Sequence, residues 1–331
     1  MQITTAELIT SRPEPRIGEV KLPVSVGIEY NAALQRIVRE IKRDIDDQLV
    51  PVLRDEQRNY TADNTVIDDV TLEYVLMTPR LYNGYIADAD NLYVSDSEVV
   101  RYAATRNYTV DSWFDRISVV LDRIRNKWQS AEFASIATQI ASKFVTTVDG
   151  RVSKNFGMDV YGNDEDLQTI INMSIYDNVR LIKTIPEQYL LQVESIVVTN
   201  SRVGNRSSAM VKALSEQFGV RERHAKFIAR DQTAKVNSAI AQKRMESAGY
   251  EYFQWRTSRD SRVRDRHTAI ANKMTEYGKG VYRFDNPPLS DKGVPILPGT
   301  DYQCRCTMRP VSRREVEQNQ ESGNTAKGVK R

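Results

Sequence analysis

The residues with the most specific chemistry lie near the C-terminus, in Cys304-Arg305-Cys306 and in the earlier run Trp255-Arg-Thr257-Ser258-Arg-Asp260-Ser-Arg262-Val-Arg264-Asp265-Arg266-His267. Two cysteines at i and i+2 on a strand point to one face, about 7 Å apart along the chain, so both sulfurs could approach one soft cation. Structural zinc takes four ligands and favours thiolate and imidazole. His267, Cys304 and Cys306 supply three, and Asp260 or Asp265 is the candidate for the fourth. The plainer alternative is two small cysteines packed in a core beside a hydrogen-bonded histidine. The chain has 2 cysteines in all. They cannot build a disulfide framework, and a bridge between such near neighbours would be strained, so reduced thiols are expected.

The same turn is dense in arginine: Arg256, Arg259, Arg262, Arg264 and Arg266. Guanidinium groups at this spacing can meet phosphates or carboxylates, and Asp260 and Asp265 are expected to pair with two of them. Upstream, Arg221, Arg223, Lys226 and Arg230 open the second of two helices expected to join at Gly219. That outline fits a helix-turn-helix whose second helix enters a major groove, and equally a plain helical hairpin. These nine cationic positions form the candidate surface for DNA or an acidic partner. A thiol nucleophile would need a third, orienting group, and none is evident. A metal-dependent nuclease using Asp260, Asp265 and His267 is the enzymatic alternative. No glycine-rich phosphate loop occurs. Neither an enzyme nor a small-molecule substrate is expected.

The elements that must position these groups follow from periodicity. At 331 residues, 40% hydrophobic and 27% charged, the chain suits two compact units or one domain with a helical extension. No apolar run approaches the roughly 18 residues of a membrane span, and Met1–Pro15 lacks a secretion signal, so the chain should stay where it is made. The net charge of +3 is unevenly spread: residues 62–98 are strongly acidic and 202–267 strongly basic, a polarity suited to a polyanion or an acidic partner.

Residues 1–27, with Pro13, Pro15 and Pro23, read as an extended arm. Apolar residues from Leu34 to Leu49 recur every three or four positions, marking a helix stopped by Pro51. Residues 54–98 read as turns and short elements whose tyrosines (Tyr74, Tyr82, Tyr85, Tyr93) could anchor a partner. Helical stripes run over Phe114–Trp128 and Phe133–Phe144, then from Leu167 to an end near Pro186, with Gly150, Gly157 and Gly162 in a loop. After Gly249 the period becomes two, predicting a strand over 250–257, and a last strand is predicted over Tyr302–Met308. The predicted fold class is α+β, mainly helical through the N-terminal two-thirds, followed by a small α+β C-terminal module. The segments are 1–27 (arm), 28–110 (helix plus acidic segment), 111–248 (helical), 249–312 (the module) and 313–331 (a flexible basic tail).

Taken together, Ile228-Ala-Arg-Asp231-Gln-Thr233, Ala248-Gly249, Trp255-x-Thr257-Ser258-x-Asp260, Val263-Arg264-x-x-His267, Pro298-Gly299 and Cys304-Arg305-Cys306 resemble the Mu F-like minor head proteins of tailed bacteriophages. The likeness covers about residues 130–310, with Leu181-Ile-Lys183-x-Ile185-Pro186 also fitting. Where that family usually shows a glycine after the histidine helix, this chain has Asn272-Lys273. The resemblance implies a head-morphogenesis protein present in few copies in the virion, inside the head near the portal, after assembly in the host cytoplasm. Its implied partners are the portal protein, the major capsid or scaffolding protein, and packaged double-stranded DNA, with a role in packaging or ejection. The family's recurring polar set falls here on Asp260, Arg264, His267, Cys304 and Cys306. Residues 28–110 are the portal-docking candidate, and no further enzymatic or toxin domain is expected beyond the module.

Overall fold

The structure is a computed structural model that describes residues 18–54, 85–87, 93–95, 113–156, 164–202 and 207–328. The acidic portal-docking candidate therefore lies largely outside the described residues. Between residues 55 and 110 only two short strands are described, β1 (Tyr85–Ala87) and β2 (Tyr93–Ser95), paired antiparallel.

Helix α1 (Val24–Asp44) starts inside the expected arm, because the Pro23 carbonyl accepts the first helical hydrogen bond, from Gly27 N–H at 3.2 Å. Its stripe Val26, Tyr30, Leu34, Ile37, Val38 and Ile41 is buried. Pro51 does not stop it. A π turn, Ile45–Leu49, precedes the proline, with Val50 N–H bonded to Ile45 O, and helical residues continue through Arg54. The wider turn relaxes the ladder where a proline ring would strike the carbonyl four residues back.

Helix α2 (Trp113–Gln129) and helix α3 (Ala131–Phe156) meet at Ser130, whose Oγ accepts Phe133 N–H at 3.2 Å. Helix α3 runs through Gly150 instead of ending in a loop there. Helix α4 (Glu165–Arg202) opens on Asp164, whose carboxylate caps the N–H groups of Asp166 and Leu167 at 3.0 and 3.1 Å. It does not end near Pro186, which lies inside it between the buried Ile185 and Tyr189.

Helix α5 (Ser207–Ser247) is continuous across Gly219, so the two-helix reading, and the helix-turn-helix with it, is incorrect. In both helices a breaker costing about 1 kcal/mol for glycine or about 3 kcal/mol for proline is outweighed by buried side chains on either side. Among the described residues no helix is long and apolar enough to cross a membrane.

Two compact units divide the chain: Met1–Leu34, Ser135–Ile182 and Ala225–Arg331 form one, Gln35–Ala134 and Lys183–His224 the other. They are interleaved in sequence, so the consecutive segments 28–110, 111–248 and 249–312 do not coincide with them. In the second unit, Asp44 receives hydrogen bonds from Lys127 at 2.6 Å and Trp128 Nε1 at 2.8 Å. In the first, Tyr30 stacks on Phe144 at 4.0 Å and donates to the buried Asn178 at 2.9 Å, and Arg244 reaches Asp149 at 2.7 Å.

The fold is α+β, with the strands gathered mainly in the C-terminal part of the first unit. Strands β3 (Tyr252–Arg256), β6 (Val281–Arg283) and β7 (Thr307–Val311) form an antiparallel sheet in the order β6-β3-β7. Between β3 and β6 lie helix α6 (Asp265–Asn272) and the two-residue strands β4 (Met274–Thr275) and β5 (Gly278–Lys279). Phe253 and Trp255 face the core by strand alternation, and Trp255 stands opposite Met308. On the outer side of β7, Val20 N–H reaches Met308 O at 3.3 Å.

The final strand begins at Thr307, so the cysteines precede it instead of lying on it. The segment expected as a flexible tail is helix α7 (Arg313–Gly328). Ser312 Oγ caps it by accepting Glu315 N–H at 3.1 Å, and Val316 packs with Val281 and Val311. Ser312-x-x-Glu315 is the helix-opening pattern that names this terminus in the sequence.

Candidate functional site

Three pieces of chain converge. After β3, Asp260 forms a turn: its carboxylate accepts Arg262 N–H at 3.0 Å and its carbonyl accepts Val263 N–H at 3.1 Å. That turn delivers α6, whose third residue, His267, is buried with its ring edge-on to Trp255, centroids 5.3 Å apart. The third piece is the loop from Pro298-Gly299 to Cys306. Gly299 has φ +94°, and a Cβ there would lie 2.9 Å from Ala234 O, so the loop is seated directly on α5. Gln303, at φ 52°, donates its backbone N–H to Asp231 at 2.8 Å and its side-chain amide to Phe227 O at 2.9 Å. This left-handed residue immediately before Cys304 turns the cysteines toward the histidine.

His267 Nδ1 lies 3.5 Å from Cys304 Sγ and 3.6 Å from Cys306 Sγ. Its other nitrogen, Nε2, lies 3.2 Å from the Asp301 carboxylate. Both cysteines are free and buried. Their ligand atoms and one from His267 all lie within 4.8 Å of one another, so this group could hold a metal ion. The hydrogen bond from the Cys306 thiol draws the Cys304 thiol well below its ordinary value, with His267 and the N–H groups of Cys306 and Gly299 adding to it against burial. The Cys306 thiol is pushed up, first by its bond to Cys304 and then by burial. The Trp255 indole N–H has no ordinary hydrogen-bond partner but bears on Cys306, where it favours the thiolate.

The expected fourth ligand is placed elsewhere. Asp260 faces Arg305, which donates to both its carboxylate oxygens, one at 2.6 Å, and it is not among the clustered ligands. Asp265 is exposed in the first turn of α6. Sequence reasoning missed Asp301, 34 residues from the histidine that it orients, and Arg305 as the partner of Asp260. Alternation was the available signal for Arg305, since a residue between two inward cysteines points away from them.

The arginines divide. Arg262 is 3.5 Å from Asp260, Arg264 is 3.3 Å from Asp301, and Arg266 pairs with Asp291. Arg259 is exposed, with φ 57°, and Arg256 is half-buried. Lys226 and Arg230 are exposed on α5 in the same compact unit, whereas Arg221 and Arg223 belong to the other. Arg230, Arg262, Arg264 and Arg305 line a cleft of about 120 Å³ that reaches His267, Cys304 and Cys306.

The Asp260–Arg305 pair gives a pH-dependent prediction. Hydrogen bonds from Arg305 hold the Asp260 carboxyl well below the usual aspartate range. A depressed folded-state pKa contributes stability above the unfolded value of about 3.9 and loses it as pH falls toward the folded one. Asp260→Asn should lower the melting temperature at neutral pH, and the gap from wild type should close as pH drops below about 4. A gap that stays constant through acid would show that the charge of Asp260 contributes nothing.

Residues 192–309 match the family model of Phage Mu protein F like protein. That span runs from α4 to β7 and contains the whole cysteine–histidine cluster. The resemblance carried by the motifs from Ile228 to Cys306 is thereby met, while Leu181–Pro186 and the stretch from 130 lie outside the match. An uncharacterized protein of Haemophilus influenzae is 31% identical over 210 residues, which make up 60% of this chain and 44% of that relative. The chain thus spans less than half of that relative's length. No solved structure matches the chain.

Proposed function

We propose that this Mu F-like chain is a minor head protein of a tailed bacteriophage, carried in few copies beside the portal, inside the head, and acting in head morphogenesis and in DNA packaging or ejection. The observation that carries the reading is the family match over residues 192–309, which encloses one compact, internally braced site. The arginines of that site suit the phosphates of packaged double-stranded DNA or an acidic face of the portal protein, with the major capsid or scaffolding protein as a further contact. Residues 28–110 are the proposed portal-docking part.

The nuclease reading is weaker, because Asp260 is engaged by Arg305 while His267 turns to Asp301 and the two sulfurs. No pairing of Asp260 with His267 on one metal is favoured. Quantitative mass spectrometry of purified particles tests the proposal. The chain should be found in intact heads, substoichiometric to the major capsid protein, and should cross-link to the portal. Heads assembled with none of it, at normal yield and infectivity, would refute the assignment.

A further inference from the structure

We propose that Cys304, Cys306 and His267 bind a zinc ion whose fourth position opens into the arginine-lined cleft and is filled by an exogenous anion of the phosphate class.

Geometry carries the metal. A cation held tetrahedrally at about 2.3 Å from sulfur and about 2.0–2.1 Å from an imidazole nitrogen sets nitrogen and sulfur about 3.6 Å apart. The observed separations from His267 Nδ1 are 3.5 and 3.6 Å, to two different sulfurs from a single nitrogen. One imidazole nitrogen carries at most one proton, so a hydrogen bond explains one of these contacts well and a shared cation explains both.

The surroundings fit the same occupant. With a cation on Nδ1, the ring proton would sit on Nε2 facing Asp301, the carboxylate–histidine arrangement usual behind metal-bound imidazole. The Cys304 sulfur is met by an N–H donor, Cys306 N–H, at 3.4 Å. Such a donor stabilises negative sulfur, which a pair of packed thiols would not need. Any thiol proton that zinc displaces on binding passes to solvent.

The open position follows from the ligand count and the cleft. Among the described residues the cluster holds three ligands, and three protein ligands leave zinc one site for water or an added group. All three line the cleft, together with Arg230, Arg262, Arg264 and Arg305, and none of the cleft's lining residues is acidic. Arg230 shares this cleft with the like charges of Arg262, Arg264 and Arg305, so the cationic group gains from an added anion. Zinc with two thiolates is formally neutral, and the arginines around it set the sign of what enters. The inference stands apart from the role in the virion and holds or fails whatever particle contains the chain.

The test uses the full-length chain, purified reduced and without chelators. Metal analysis should find about one zinc per chain, and Cys304→Ser should reduce this to under about a tenth. Replacing zinc with cobalt should give the sulfur-to-cobalt charge-transfer band and the visible bands of a tetrahedral site. Asp301→Asn, which keeps every ligand, should weaken metal retention about tenfold with the far-ultraviolet spectrum unchanged. Inorganic phosphate should shift the visible cobalt bands, and Arg262→Ala should raise the phosphate concentration required about tenfold while leaving the phosphate-free spectrum intact. A wild-type chain that is folded, free of zinc and without cobalt bands overturns the metal. Cobalt bands that do not respond to phosphate overturn the open position.

Discussion

Trp255→Ala is expected to cost the C-terminal sheet about 3–5 kcal/mol, the range for emptying a large aromatic site in a packed core. Trp255 is 1% exposed on the central strand, faces Met308 across the sheet and holds the edge of the His267 ring. Its removal leaves a cavity that the three-stranded sheet cannot close without moving α6, the element that carries His267. Urea unfolding followed by near-ultraviolet circular dichroism should show the lower midpoint. Trp113 and Trp128 lie outside the C-terminal module and remain as fluorescence reporters in the variant. A midpoint within about 0.5 kcal/mol of wild type would mean that the sheet is not organised around this residue.

Gly280→Ala comes next in size. Gly280 has φ +66°, and a Cβ on it would sit 2.4 Å from Ala271 O and 3.0 Å from its carbonyl carbon, both backbone atoms of α6. The same residue donates its N–H to Lys273 O and accepts Trp255 N–H, each at 2.8 Å, so it ties α6 to the central strand. Alanine pays about 1–2 kcal/mol for left-handed backbone alone. The collision adds to this, since the obstructing atoms cannot swing aside as a flexible side chain would, and a total of about 3 kcal/mol or more is expected. Gly293→Ala is the control, with φ +72° but nothing within 4 Å of its Cβ, and it should cost only the backbone part. Paired thermal melts check this: equal losses at the two positions would show that close approach of α6 contributes nothing.

The helical stripes were legible because burial repeats every three to four residues: Val26 to Ile41 and Ile117 to Trp128 are buried as that period requires, and so are Phe133, Ala137 and Phe144, although Ile136 beside them is exposed. The continuity of the helices was not. Pro51, Pro186 and Gly219 are locally unfavourable in a helix, and what overrides them is packing between elements that a single sequence does not display. The meeting of His267 with the two cysteines was anticipated, though for a different reason. It depends on a left-handed Gln303 and a loop anchored on Asp231, whereas alternation along a strand had been expected to supply it. Asp301 stayed hidden because its role depends on a contact across 34 residues. The capped start of α7 could have been read from Ser312 and Glu315.

Strand β7 is the outer strand of its sheet, and such a strand ordinarily offers a ready template for unwanted addition of other chains. Since the Met308 carbonyl points outward to Val20, alternation turns the backbone nitrogen of Pro310 outward as well. That position has no hydrogen to give. A foreign strand approaching this side would find one acceptor already occupied and one donor missing. This border of the sheet therefore discourages misplaced polymerisation.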